Sequence, residues 1–154
     1  MLYDILKTLV IGMLPILEIR GAIPVGIAAG LDPWLSFGAG FVGNMLPVPF
    51  LILLTRHIIQ WMKKHHILDK FTSFLERKGA EKAETVHKYS FWGLFILVAI
   101  PLPGTGAWTG ALVASLLDMR LKSALPAIAM GVAVAGFIVM LATFGVISVG
   151  SFLG

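Results

Sequence analysis

The strongest constraint on this chain is where its charges are missing. Residues 33–55 (23 residues), 89–117 (29 residues) and 123–154 (32 residues) hold no Asp, Glu, Lys or Arg, and two shorter uncharged runs cover 8–17 and 21–31. A span of the ~30 Å hydrocarbon core of a bilayer needs about 20 apolar residues. Three of the five runs are long enough, and only residues 56–88 are strongly charged. Over the whole chain 58% of residues are hydrophobic and 13% charged, too few polar groups to cover a soluble domain of 154 residues. The expected class is therefore an all-α integral membrane protein forming one transmembrane domain, residues 1–154.

Breaks inside the runs divide them into two kinds. Runs 33–55 and 123–154 read as spanning helices, with spans over 33–62 and 123–152. The first carries Pro47 and Pro49 beside Asn44, so a bend or local break is expected there. Residues 5–31 carry Glu18-Ile19-Arg20-Gly21 at their centre. Residues 89–117 carry Pro101-Leu102-Pro103-Gly104-Thr105-Gly106 at theirs. Each is two arms of about 10–12 apolar residues around a polar or helix-breaking tip, a length more typical of re-entrant segments than of spans. Both read as re-entrant hairpins, the alternative being kinked spans. The hairpin reading gives two repeats, 1–62 (hairpin 5–31, then a span) and 89–154 (hairpin 89–117, then a span). The single crossing between them inverts the second relative to the first. An offset of 86 sets Pro15 against Pro101 and Asp32 against Asp118. Inverted repeats with broken elements meeting at the midplane are a transporter architecture.

Linker 63–88 joins the repeats. Ile67, Leu68, Phe71, Phe74 and Leu75 share one helical face, Gly79 is expected to break that helix, and Glu84 to Lys88 adds an i,i+4 pair. An amphipathic helix lying on the membrane surface is expected. In the hairpin arrangement ten Lys and Arg of the linker and the 118–122 loop share one side, against Lys7 on the other. The positive-inside rule makes the linker cytoplasmic, in a multi-pass protein of the cytoplasmic membrane. Membrane topology accounts for the basic residues without nucleic-acid binding.

Glu18 and Arg20 lie at membrane depth, where each charge costs at least about 2.5–3.5 kcal/mol and must be paired or face a wet cavity. One reading makes Glu18 a proton-coupling carboxylate and Arg20 the holder of an anionic substrate group; the other is a structural ion pair. In the second tip, Gly104 and Gly106 allow backbone N–H groups to converge at the start of the following arm, a possible anion nest. Thr105 and Thr109 add hydroxyls and Trp108 a flat wall, and a packed turn would use the same residues. Asn44 could line the cavity or bond opened backbone. Pro24, Pro47, Pro49, Pro101 and Pro103 are the expected hinges. GxxxG spacings at Gly26/Gly30 and Gly106/Gly110 suit helix packing. With no cysteine, four histidines confined to 57–87 and no grouped nucleophile or carboxylate pair, no enzyme, metal or cofactor is expected.

Glu18-Ile19-Arg20-Gly21-Ala22-Ile23-Pro24, Gly43-Asn44-Met45-Leu46-Pro47-Val48-Pro49-Phe50 and the run Pro101 to Ala111 resemble the prokaryotic small multidrug export proteins. That family is grouped with the wider DedA-like, SNARE-associated membrane proteins. The resemblance implies paired inverted hairpins and, through the DedA-like relatives, transport of lipids such as polyprenyl phosphates with proton or ion coupling. Positions 95–112 lack the arginines those relatives carry, and Glu18-x-Arg20 differs from their acidic motif. The expectation is a small secondary transporter of an anionic small molecule or lipid phosphate, in contact with membrane lipids and forming a dimer. A multidrug exporter and a non-transporting scaffold or accessory subunit are the alternatives.

Overall fold

In a computed structural model, residues 1–67, 69–70, 73, 77, 83–102 and 104–154 are described, the side chains of 83–88 excepted. Among them lie seven helices and no strand: α1 (Leu2–Met13), α2 (Glu18–Ala28), α3 (Pro33–Met45), α4 (Val48–Lys64), α5 (Ala83–Ala99), α6 (Ala107–Leu116) and α7 (Leu121–Leu153). Leu68, Phe71, Phe74, Leu75, Gly79 and Pro103 lie outside the described residues, as does the Glu84 to Lys88 side-chain pair, so most of the expected amphipathic face is not described.

The helix ends follow local chemistry. The Asp32 carboxylate caps α3 by accepting from the Trp34 N–H at 2.9 Å and the Leu35 N–H at 3.4 Å, with Pro33 in the first turn, where a missing N–H costs nothing. Helix α2 ends in a Schellman motif. Gly30 takes φ +90°, its N–H reaches Ile27 O, and the Leu31 N–H reaches Gly26 O. Helix α6 ends in the same way through Asp118, at φ +50°, with the Met119 N–H on Ala114 O. Asp118 holds after α6 the left-handed position that Gly30 holds after α2, and Arg120 precedes α7 as Asp32 precedes α3. The connection between α5 and α6, residues 100–106, is longer than that between α1 and α2, residues 14–17.

Residues 33–64 form one long bent element. Pro47 and Pro49 cannot donate to the carbonyls of Gly43 and Met45, yet Leu46 and Pro47 keep right-handed helical angles, so the chain bends at 46–47. Among the described residues, this element and α7 are the two helices long enough and apolar enough to cross a membrane. Only 33% and 22% of their most apolar stretches are buried, so most of that surface faces outward, as suits lipid and not water. Helix α4 runs on to Lys64, and α5 is described from Ala83.

Small residues draw α1, α2 and α3 together. A Cβ on Gly43 would overlap the Leu9 carbonyl, and one on Gly12 would lie 2.8 Å from Gly40 O. Each half also reaches into the other. Ile19 of α2 packs on Gly136 of α7, and the Ser115 hydroxyl of α6 donates to Ile52 O of α4 at 3.2 Å. Ile19, Ile23, Val48, Ile52, Val98 and Ile128 belong to the resulting shared core. The two tips are thereby brought together beside the middle of α7.

Candidate functional site

Glu18 opens α2 with φ +49°, a left-handed angle that costs a side-chain-bearing residue about 1–2 kcal/mol, and it is only 4% exposed. What holds it there comes from the other half. The Trp108 N–H, in the first turn of α6, donates to Glu18 Oε1 at 3.2 Å. A Cβ placed on Gly106, the N-cap of α6, would fall inside the Glu18 carboxylate. The carboxylate therefore lies on the positive end of α6, where anions are favoured. Gly106 has φ −135°, an extended angle open to any residue, so its need for glycine is one of space.

Arg20 completes the contact. Its Nη1 donates to Glu18 Oε2 at 2.8 Å. Its Nη2 donates to Ile100 O at 3.0 Å, to Thr105 O, and at 3.4 Å to Val98 O and Thr105 Oγ1. One guanidinium thus ties the first tip to the carbonyls that the second loop leaves without helical partners. Thr105 braces that loop by donating to Ile100 O (2.8 Å) and Leu102 O (2.9 Å). Thr109 donates to Gly104 O at 2.8 Å, and Gly104 takes φ +82°, which suits glycine. The Trp108 indole N–H donates to Met13 O at 3.2 Å, pinning α6 to the end of α1. Arg20 Nε is buried with no hydrogen-bond partner.

Of the residues singled out in the sequence, Glu18, Arg20, Thr105, Gly106 and Trp108 meet directly. Gly104 and Thr109 shape the same turn. Asn44 makes no hydrogen bond to these residues. It is fully buried in α3 beside Gly12, and neither atom of its amide has a partner. Pro24 lies within α2 without ending it, Pro101 is in the α5–α6 connection, and Pro47 and Pro49 form the bend of residues 33–64. Sequence reasoning missed the acceptors supplied by Met13, Val98 and Ile100, since a main-chain carbonyl has no signature of its own. It also left the occupant of the glycine-rich turn open, and that occupant is Glu18. Among the described residues no cluster of His, Asp or Glu is placed to hold a metal.

Residues 18–138 match the model of the family described as "Putative small multi-drug export protein". No curated protein and no solved structure matches the chain. The matched region runs from Glu18 through both tips and most of α7. The chain belongs to this family.

Proposed function

We propose that the chain, as a member of the small multidrug export family, is a secondary membrane transporter whose two re-entrant hairpins meet at mid-membrane. The observation that carries this reading is the Glu18–Arg20 pair, its carboxylate buried and its guanidinium partly so, made by one half and held by residues 98–108 of the other. A charge pair in an apolar setting is costly unless it is used or fully matched. Here it sits where the two halves touch, so separating them exposes a carboxylate, a guanidinium and free amide donors together. Rocking one repeat against the other around such a contact would open it to each side in turn.

In this arrangement the hairpins are α1–α2 and α5–α6, each followed by a span, and the second repeat is inverted. The linker 63–88 lies in the cytoplasm of a prokaryotic cell, with the chain's two ends outside. Arg20 and the amides at the start of α6 suit an anionic small molecule or a lipid phosphate, and Glu18 suits proton or ion coupling. A site between two short halves is small, which favours a dimer. Multidrug export is the second reading. The family description favours it, and Glu18, once parted from Arg20, would hold a cationic drug. An enzymatic role has no support in the residues.

Flux into liposomes containing purified protein tests the proposal. Glu18→Gln and Arg20→Ala are expected to lower flux at least tenfold for an anionic dye or a labelled phospholipid. Loss for cationic drugs alone would select the multidrug reading. Flux that both substitutions leave unchanged would remove the site assignment, and absence of any flux would favour a scaffold.

A further inference from the structure

The start of α6 is an anion site that is already filled, by a group of the protein itself. The Glu18 carboxylate accepts from the Trp108 N–H and from Arg20, and it fills the space that Gly106 leaves open. The backbone holding it there is left-handed at a residue that is not glycine. Such a conformation is kept only by the contacts it makes, and it relaxes when they are lost.

We propose that Glu18 is a built-in competitor for the substrate's anionic group, so that a carboxylate or phosphate binds at the start of α6 only when Glu18 has swung away. The inference rests on the transport reading above and adds its regulation. Protonating Glu18 removes the charge that the Trp108 amide and Arg20 hold. The neutral side chain leaves, and an incoming monoanion takes both donors. One proton and one monoanion enter together, so the net charge of the site is the same before and after. The exchange couples proton and anion with no second binding site. It also keeps the two halves latched while no substrate is present.

Glu18→Gly gives a direct test, since it removes the carboxylate and places the residue best suited to φ +49° at that position. Full-length protein in detergent is melted across a range of acetate or inorganic phosphate at pH 7 and constant ionic strength. For Glu18→Gly the melting temperature is expected to rise saturably, on the order of 3–5 °C at ten times the dissociation constant. Wild type and Glu18→Gly/Arg20→Ala are expected to shift by less than about 1 °C, their site being filled or dismantled. Equal shifts in all three proteins, or none in Glu18→Gly, would overturn the proposal. If Glu18→Gly does not fold, Glu18→Gln serves, because its neutral amide holds Arg20 weakly and an anion should displace it. Anion binding by Glu18→Gly with flux unaffected by Glu18→Gln would preserve this site and refute the transport reading. Flux lost without anion binding would do the reverse.

Discussion

Replacing Gly106 by Ala puts a methyl group where the Glu18 carboxylate now lies. At φ −135° alanine fits this backbone as well as glycine does, so the substitution strains nothing locally and acts only through the clash. The carboxylate has to move, and it then loses the Trp108 N–H and the 2.8 Å bond from Arg20. Hydrogen bonds involving a charged group contribute roughly 1.5–3 kcal/mol each, and breaking a buried ion pair costs about 3–5 kcal/mol. Because the two losses overlap, a destabilisation of about 3–4 kcal/mol is expected. At roughly 2–4 °C per kcal/mol this is a fall in melting temperature on the order of 10 °C, read by thermal unfolding of purified protein. The discriminating measurement is the double variant. On a Glu18→Gly background the added methyl meets no carboxylate, and Gly106→Ala should cost less than about 1 kcal/mol, leaving a coupling energy of at least about 2 kcal/mol. Equal costs on both backgrounds would mean that Gly106 is required for some other reason, and that Glu18 does not sit on the start of α6.

Trp108→Phe removes the donor to Met13 O together with the fused pyrrole ring, so a loss of roughly 1–3 kcal/mol is expected by the same melting assay. Gly43→Ala would drive α1 and α3 apart through the Leu9 carbonyl, which cannot rotate away; a loss of roughly 3 kcal/mol or more, or failure to accumulate in the membrane, is expected. Asn44→Leu replaces two buried, unpartnered polar atoms with a side chain of similar size and should be neutral or stabilising to melting. Retained stability with lost flux would assign Asn44 a part in transport, while full flux would leave it a packing residue. The chain has no cysteine, so single cysteines at Asp32, Asp118 and Gly154 can be probed in intact cells with an impermeant thiol reagent. Labelling at 32 and 154 but not 118 is expected for inverted hairpins; labelling at 32 and 118 but not 154 would mean four plain spans.

Much of the architecture is written locally in this chain. Absent charge over 33–55 and 123–154 specifies long apolar helices, because no ionisable group would have to enter lipid. Pro47 and Pro49 specify the bend, because two N–H groups are missing whatever surrounds them. The prolines and glycines of 101–106 require a break between α5 and α6 on the same grounds. The left-handed helix ends were only partly readable, since one falls on Gly30 and the other on Asp118, a residue type that rarely takes that angle. Asn44 was open to two readings, lining a cavity or bonding the opened backbone, and the structure buries its amide without a partner. Tertiary structure alone decided the pairing at the centre. Glu18 and Arg20 lie 78 to 90 residues from the groups they bond in the other half. Nothing local distinguishes a glycine turn that awaits an anion from one that already holds the chain's own carboxylate. That choice depends on α2 and α6 each crossing to pack on the other half's long helix, which brings a side chain and a helix end from distant parts of the chain within hydrogen-bonding distance.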